Sequence, residues 1–286
     1  MITVVIPAFN EEGGIGRAVE RVRALPQFHN WEVIVVDDGS SDRTGDIAAS
    51  AGARVLRHPH NLGYGRALKA GIGAATHDTV VIIDADGTYA AEDIPRLVEA
   101  YDRGFDMVVG VRSDVRRNES AFKTLLRWLL TALVEFTAGR RIPDVNSGLR
   151  VFSRRTIEPY FGQLCDTFSF TTSLTLAYMM TARFVSFVPI SYGTRHGRSK
   201  VKLFRDALRT LQYIVQSILY YNPIKLFLLV AGVSAVFTLV LAAAAIRIGS
   251  TTTLIVLAVG GAVTLVLFGL GLVADLLRQI MAKEPR

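Results

Sequence analysis

Two long uncharged stretches near the C-terminus constrain the fold of this 286-residue chain more than any other feature. Residues 226–246 and 248–274 contain no Asp, Glu, Lys or Arg, and only Arg247 separates them. At about 1.5 Å of rise per residue, a helix over either stretch is long enough to cross a hydrocarbon layer of about 30 Å. Core helices of soluble proteins rarely run so long without a charge. The sequence therefore predicts a hairpin of two transmembrane helices, at about 225–247 and 252–275.

The basic residues around this hairpin predict its orientation. Its connection contains one basic residue, whereas the two flanks contain several: Arg205, Arg209, Lys225, Arg278, Lys283 and Arg286. Because cytoplasmic segments beside membrane helices carry an excess of Lys and Arg, we expect both termini and the soluble part to be cytoplasmic. Gly232, Gly260 and Gly261 would also allow close packing against other copies of the chain, so the sequence leaves a homo-oligomer open.

The positive charge of the chain is concentrated in two stretches. The formal net charge is +7. Residues 111–141 hold seven basic and three acidic residues (net +4), and residues 195–209 hold six and one (net +5). Nucleic-acid binding is the usual explanation of a basic protein. Since both stretches adjoin amphipathic segments near the membrane helices, we expect them to face a lipid bilayer or a lipid phosphate, and no nucleic acid.

Hydrophobic residues at helical spacing complete the predicted organisation. They indicate an amphipathic interface helix at about 120–137 and an amphipathic juxtamembrane helix over residues 201–222. We therefore predict a cytoplasmic domain over residues 1–200, the juxtamembrane helix, and the hairpin with a short tail over residues 223–286.

Short runs rich in Val and Ile alternate with helical stretches in the first part of the chain. The runs are residues 3–6, 31–36, 54–56, 79–83 and 106–111, and the helical stretches are 12–25, 43–51, 65–75 and 94–101. Strands that are apolar on both faces and alternate with helices are typical of an α/β fold with a parallel sheet covered on both sides. In such sheets ligands bind beyond the carboxyl ends of the strands.

Three of the predicted strands end in polar motifs: Pro7–Glu12, Asp37–Asp42 and Asp84–Gly87. Each motif alone has a structural explanation, such as a helix cap or an Asp-Gly turn. Together they place several carboxylates on one edge of the sheet, where repulsion is costly unless a cation or a donor-rich ligand binds. A nucleotide diphosphate with Mg²⁺ or Mn²⁺ satisfies this arrangement, because these cations take carboxylate and phosphate oxygens.

The motifs resemble those of family 2 glycosyltransferases, which have the GT-A fold, and in particular the polyprenyl-phosphate branch. That branch includes dolichyl-phosphate mannose synthases and undecaprenyl-phosphate sugar transferases. The resemblance covers about residues 2–210 and rests on seven motifs in order: Val4–Glu11, Val35–Ser40, Asn61–Gly65, Asp84–Asp86, Val109–Arg112, Asp144–Arg150 and Arg195–Lys200. It implies a mostly parallel GT-A sheet with helices on both faces, followed along the chain by the membrane hairpin.

The resemblance also implies roles for individual residues. Those that would bind the nucleotide sugar are Pro7, Ala8, Asn10, Glu11, Asp37, Asp38, Gly65, Asp84 and Asp86. Asp37 would accept a hydrogen bond from the base, and Asp84 and Asp86 would hold Mg²⁺ or Mn²⁺. Those that would gather around the diphosphate and the acceptor are Arg112, Lys123, Ser147, Arg195 and Lys200. The catalytic group would be Asp86, Arg112 and Asp144, with Asp144 orienting the sugar or the loop and not serving as a base.

The implied activity is an inverting transfer of a sugar from a nucleotide sugar donor to a polyprenyl phosphate acceptor. One alternative is a processive polysaccharide synthase; the segment Thr124–Trp128, however, lacks the Gln of the Gln-X-X-Arg-Trp element of those enzymes. A second alternative is an inactive, nucleotide-sensing membrane scaffold, against which the pair Asp84 and Asp86 argues. The sequence leaves the sugar, the nucleotide and the polyprenol length open.

Overall fold

The computed structural model describes residues 1–27, 29, 31–112, 121–193 and 203–283. These residues form two compact units, Met1–Tyr213 and Ile214–Arg286. The first unit contains the sheet and the candidate site, and the second contains the two apolar helices.

A seven-stranded sheet forms the first unit. Its strands are β1 (Ile2–Ala8), β2 (Trp31–Asp37), β3 (Arg54–Arg57), β4 (Thr79–Ile82), β5 (Met107–Arg112), β6 (Arg150–Ser153) and β7 (Val185–Ile190). They are arranged in the order β3-β2-β1-β4-β6-β5-β7. Neighbouring strands are parallel except at β6, which is antiparallel to both β4 and β5. The predicted mostly parallel sheet is confirmed.

Helices follow most of these strands. They are α1 (Ile15–Arg23), α2 (Thr44–Ser50), α3 (Tyr64–Gly73), α4 (Ile94–Tyr101), α5 (Ala121–Ala138), α6 (Arg154–Ile157), α7 (Phe170–Met180) and α8 (Leu203–Tyr221). Helix α8 runs from the first unit into the second.

Different helices cover the two faces of the sheet. Successive strand residues point to opposite sides, so neighbouring residues of β1 contact different helices. On one face Val4 of β1 shares a buried hydrophobic cluster with Ile15 of α1. On the other face Gly71 of α3 lies so close to Val5 and Val36 that a Cβ at position 71 would overlap both side chains. The predicted covering of both faces is therefore confirmed.

The antiparallel strand β6 decides which loop reaches the candidate site. Parallel strands β4 and β5 end at one edge of the sheet, and an antiparallel neighbour begins at that edge. Ile82 of β4 and Val109 of β5 both pair with Arg150, the first residue of β6. The loop before β6, residues 144–149, therefore lies beside the residues that follow β4 and β5.

The second unit contains two long apolar helices, α9 (Pro223–Ala245) and α10 (Ser250–Lys283). The segments Pro223–Ala245 and Ser250–Ile280 have mean hydropathies of 2.6 and 2.5. Only 17% and 6% of the most apolar 18-residue stretch of each segment is buried. A core helix of a soluble protein would be mostly buried. Both helices are thus long and apolar enough to span a membrane, as predicted.

Helix α10 continues past the predicted end near residue 275. Asp275 accepts hydrogen bonds from Arg278 and Gln279, at i+3 and i+4, and such pairs stabilise a helix beyond its apolar part. Within the hairpin, Ser234 of α9 and Thr264 of α10 are hydrogen-bonded at 3.1 Å.

Of the three glycines that would allow self-association, one packs against the neighbouring helix of the hairpin and two do not. A Cβ on Gly260 would overlap Thr238 of α9, so Gly260 serves packing within the hairpin. A Cβ on Gly232 or Gly261 would meet nothing within 4 Å. The packing of Gly260 therefore does not support the close approach of another copy that the sequence left open.

Candidate active site

A cavity of about 410 Å³ opens at the carboxyl ends of the parallel strands in the first unit. Its walls come from the ends of β1, β2, β4 and β5, the loop before β6 and the segments beside α3, α7 and β7. The lining residues are Pro7, Ala8, Phe9, Glu11, Asp38, Asn61, Gly63, Tyr64, Ala67, Asp84, Ala85, Asp86, Tyr89, Arg112, Asn146, Phe168, Thr171 and Tyr192. The cavity lies where the sheet topology predicts a ligand site.

The structure brings many of the predicted site residues to this cavity and places others elsewhere. Those on the cavity wall are Pro7, Ala8, Glu11, Asp38, Asp84, Asp86 and Arg112. Those not on the wall are Asn10, Asp37, Gly65, Asp144 and Ser147. Arg195 and Lys200 lie outside the described residues, and Lys123 belongs to α5 but its side chain is outside the described part of the chain.

Asp84 and Asp86 follow β4 and face the cavity with only one residue between them. Asp84 Oδ1 accepts a hydrogen bond of 2.8 Å from the Tyr64 hydroxyl. Burial and the nearby Asp84 carboxylate raise the pKa of Tyr64 well above its usual value, so the hydroxyl keeps its proton and remains a donor. Asp86 Oδ1 accepts bonds from the backbone N–H of Thr88 at 3.1 Å and from its hydroxyl at 2.6 Å. Both carboxylates are therefore oriented by their neighbours.

Arg112, the last residue of β5, forms a bidentate ion pair with Asp144. Arg112 Nε lies 2.6 Å from Asp144 Oδ2, and Nη2 lies 2.8 Å from Oδ1. The two side chains are only 16% and 11% exposed. Burial by itself would lower the pKa of Arg112, but the bonds to Asp144 outweigh it and raise this pKa. The guanidinium carbon also lies 5.3 Å from the centre of the Tyr192 ring, and Arg112 is thus a fixed cation on the cavity wall.

Tyr89 and Tyr192 close the cavity beside Arg112. Their rings meet edge to face with centroids 5.2 Å apart, and an isolated β-bridge joins their backbones. The Tyr89 hydroxyl accepts a bond of 2.7 Å from the backbone N–H of Gly148. Burial, then the charge of Asp84, raises the pKa of Tyr89 above its usual value. Tyr89 consequently connects the segment after β4 to the loop before β6.

Asp38 lines the main cavity, but its carboxylate is already engaged by the backbone. Asp38 is 3% exposed, and it accepts bonds from the N–H groups of Leu62 and Gly63 at 3.0 and 2.8 Å. His58 Nδ1 lies 2.7 Å from the same carboxylate. Asp38 therefore holds the loop before α3 in place.

Asp37 lines a second, smaller cavity of about 170 Å³. Its Oδ1 accepts a bond of 3.0 Å from the N–H of Ser40. The other residues around this cavity are mostly polar: Gly39, Ser40, Asp42, Gly45, Asp46, Arg57, His58 and Pro59. The hydrogen bond from the nucleotide base to Asp37 stays a prediction. It would require the base to reach this smaller cavity.

Three other predicted residues lie near the site but off the cavity wall. Asn10 has a φ of 51°, and its Oδ1 accepts a bond of 2.8 Å from Ser41 N–H. Gly65 packs against the backbone of Cys165 so closely that a Cβ would overlap the carbonyl oxygen. Ser147 is completely buried, and its hydroxyl has no hydrogen-bond partner among the described residues.

The donor chemistry of the cavity fits a hard divalent cation. No group of three or more His, Cys, Asp or Glu side chains in the described ranges is arranged to hold a metal. Two carboxylates, Asp84 and Asp86, do share one wall. Mg²⁺ in proteins is usually held by one or two carboxylates, with substrate phosphates and water completing its shell. The residues present thus suit an ion that a bound diphosphate helps to hold.

Sequence reasoning did not assign several residues that line the cavity. Tyr64 is the first residue of α3 and lies within the motif Asn61–Gly65, which is the one sequence signal that points to it. Phe168, which stacks on Tyr64 at 5.7 Å between ring centres, is 44% exposed and belongs to none of the motifs. Tyr89 and Tyr192 meet only through long-range pairing, so no local signal identifies them.

The comparisons with known proteins agree with this geometry. A sequence profile described as Glycosyl transferase family 2 matches residues 3–161. The undecaprenyl-phosphate 4-deoxy-4-formamido-L-arabinose transferase of Edwardsiella ictaluri (strain 93-146) is 31% identical over 233 residues, which make up 78% of this chain and 69% of that relative.

Solved structures share the fold. The glucosyl-3-phosphoglycerate synthase from Mycobacterium tuberculosis in complex with phosphoglyceric acid aligns with a TM-score of 0.64 at 23% identity, over 76% of this chain and 79% of that one. The same enzyme in complex with Mg²⁺ and uridine diphosphate aligns with a TM-score of 0.63 at 24% identity, over the same shares of the two chains. The profile match covers more than half of this chain, from β1 to α6. The chain therefore belongs to glycosyl transferase family 2, the family that its strand-end motifs predict.

Proposed function

We propose that this glycosyltransferase moves a sugar from a nucleotide diphosphate sugar to a polyprenyl phosphate, with inversion at the anomeric carbon. One observation carries the proposal: a single cavity presents two carboxylates, Asp84 and Asp86, and one partly buried guanidinium, Arg112. Carboxylates suit a cation-bound diphosphate, and a guanidinium suits a phosphate. The name of the Edwardsiella relative, an undecaprenyl-phosphate transferase, supports the class of acceptor.

On the donor side, the wall formed by the ends of β1 and β4 would bind the nucleotide sugar. Asp84 and Asp86 would hold Mg²⁺ or Mn²⁺, with their orientation set by Tyr64 and Thr88. When bound, such an ion offsets the negative charge that develops on the departing nucleoside diphosphate. Pro7 and Ala8 would contribute the apolar part of this wall.

On the acceptor side, the phosphate of the lipid would be the nucleophile. A phosphate is already an anion at neutral pH, so the reaction needs no general base, unlike transfer to a hydroxyl. Catalysis would then depend on alignment of the phosphate oxygen with the anomeric carbon. Arg112 would bind the phosphate, and we place Lys123, Arg195 and Lys200 with it as further cationic contacts.

Asp144 would act through Arg112. Both of its carboxylate oxygens already accept bonds from the guanidinium. A carboxylate held in this way fixes the direction in which the cation points. We therefore assign Asp144 a positioning role.

The membrane arrangement supports an acceptor in the bilayer. We propose that α9 and α10 span the membrane, with both termini and the catalytic domain (residues 1–200) on the cytoplasmic side, where the flanking basic residues lie. The interface helix would be α5, on which Trp128 is 63% exposed, and the juxtamembrane helix would be α8. Trp is favoured at membrane interfaces, which supports this placement.

The test is a screen of nucleotide sugars with the full-length protein in detergent. Each radiolabelled UDP or GDP sugar would be incubated with undecaprenyl or dolichyl phosphate and Mg²⁺ or Mn²⁺. We expect one donor to give butanol-extractable label only when lipid phosphate is present. Release of free sugar without lipid-linked product for every donor would contradict the proposed acceptor.

A small substitution behind Asp84 should also affect transfer. A Cβ at position 148 would lie 2.5 Å from Asp84 Oδ2 and 2.8 Å from its Cγ. Gly148→Ala must therefore displace either the carboxylate or the loop, and a misplacement of about 1 Å can cost about 10²-fold in rate. We expect kcat/KM to fall about 10- to 100-fold, measured with the donor found in the screen. Gly162→Ala, where a Cβ meets nothing within 4 Å, is the matched control.

A further inference from the structure

Arg150, the first residue of β6, is a buried cation with no assigned role in the transfer reaction. Its side chain has no exposed surface, and burial lowers its pKa to about 10, so it remains charged at neutral pH. Within the described residues it forms no ion pair. Burying an unpaired charge costs free energy, and an apolar side chain would fill the same space without that cost. The presence of a cation here therefore needs an explanation beyond packing.

The hydrogen bonds of Arg150 connect the loop before β6 to helix α7. Its Nε donates to the carbonyl of Ser147 at 2.9 Å, and Nη2 donates to the carbonyl of Val145 at 2.8 Å. Nη1 donates to the hydroxyl of Thr175 in α7 at 2.7 Å. The planar guanidinium presents these donors in a fixed geometry that no other side chain can reproduce.

The loop that Arg150 holds carries a site contact at each end. At its start, Asp144 forms the bidentate pair with Arg112. At its end, the backbone of Gly148 lies against the Asp84 carboxylate and donates to Tyr89. A shift of this loop would therefore move the guanidinium on one side of the cavity relative to the carboxylates on the other.

We infer that Arg150 is a positioning residue that fixes the loop of residues 144–148, and through it keeps Arg112 aligned with Asp84 across the cavity. The inference rests on the proposed transfer of a sugar to a lipid phosphate. It goes further by making the register of acceptor and donor depend on a residue that contacts neither. Thr175 is part of the same device, since it accepts from Arg150 and donates to the carbonyl of Thr171 on the cavity wall.

Three substitutions separate this role from a contribution to folding. Arg150→Met keeps most of the side-chain length but removes the charge and all the bonds, whereas Arg150→Lys keeps the charge and loses the planar fork. Thr175→Val removes one anchor at nearly constant volume. The matched control is Arg154→Met, since Arg154 follows the other end of β6 and donates to the carbonyl of Ala75 at 2.7 Å.

The measurement is a pair of saturation curves, for the donor and for the lipid phosphate, on each full-length variant in detergent. We expect Arg150→Met to raise the acceptor KM about 10-fold and to lower kcat about 30-fold, with the donor KM within about 2-fold of the wild-type value. Arg150→Lys and Thr175→Val should change the same two parameters by about 3- to 10-fold. Arg154→Met should match the wild type.

The acceptor KM decides between the two explanations, because loss of folded protein lowers kcat but cannot raise the KM of one substrate alone. An unchanged acceptor KM in both Arg150→Lys and Thr175→Val would overturn the inference. This criterion can be applied even if Arg150→Met fails to fold. If the wild type transfers no sugar to lipid phosphate, the proposed function is wrong and the inference falls with it. If the wild type is active and the variants behave like Arg154→Met, only the inference is wrong.

Discussion

Replacing Asp86 with asparagine should lower kcat by about 10²- to 10³-fold or more and leave the fold intact. Asparagine has nearly the same shape, and its carbonyl oxygen can still accept the bonds that Asp86 Oδ1 accepts from Thr88. The substitution therefore removes a negative charge from the cavity wall without removing the local turn. If Asp86 holds a divalent cation against the donor diphosphate, the leaving group loses its main source of stabilisation.

The same experiment distinguishes a metal role from a general loss of activity. With the wild-type protein, transfer should stop in metal-chelated buffer and return when Mg²⁺ or Mn²⁺ is added. In Asp86→Asn the residual rate should require a higher metal concentration. Asp102→Asn, which removes an exposed carboxylate at the end of α4, is the matched control and should behave like the wild type. Wild-type turnover in chelated buffer, or an Asp86→Asn variant with full activity, would contradict the metal role.

The parts of the site that the sequence predicts are those in which a strand and its polar end are adjacent in the chain. β1 ends at Ala8 and β4 ends at Ile82, and the motifs beyond them contribute Glu11, Asp84 and Asp86 to the cavity. Periodicity locates the strands, and the parallel topology then brings their carboxyl ends together. Such residues can be placed without knowledge of any tertiary contact.

The parts that sequence reasoning did not predict depend on pairing between distant segments. β6 has only four residues and starts with a buried arginine, so it has no clear strand pattern. Its antiparallel direction nevertheless brings the loop of residues 144–149 to the site. Likewise, the bridge between Tyr89 and Tyr192 joins segments about 100 residues apart. Propensity carries no information on either pairing, because the free energy comes from tertiary contacts.

Side-chain orientation also separates the two aspartates of the second motif. The sequence places Asp37 and Asp38 together at the end of β2, and successive strand residues point to opposite sides. In the structure Asp38 reaches the main cavity and Asp37 the smaller one. The alternation could be expected from the sequence, but which of the two faces the main cavity depends on the packing of the loop before α3, which Asp38 itself anchors.

Arg112→Met should lower kcat/KM for the lipid phosphate by about 10³-fold, through a higher acceptor KM and a lower kcat. A charge-assisted hydrogen bond from a guanidinium to a phosphate is among the stronger interactions that a protein forms. Removing the guanidinium also leaves the Asp144 carboxylate without its partner, and the loss of one partner of a buried ion pair costs about 3–5 kcal/mol. Because the pair is only 16% and 11% exposed, solvent compensates for only part of this loss. Arg103→Met, which breaks an exposed pair with Glu99, is the control.

The double variant of this pair tests how Asp144 acts. Asp144→Asn loses the bidentate contact, so it should weaken acceptor use in the same way as Arg112→Met, by about 10²-fold. If Asp144 works only through Arg112, Arg112→Met with Asp144→Asn should be no worse than Arg112→Met alone, since coupled residues are not additive. If Asp144 were a general base, the two losses would multiply, and Asp144→Asn alone would remove the acidic limb of the pH–rate profile. The bidentate geometry favours the first result, because both oxygens of the Asp144 carboxylate are already engaged by the guanidinium.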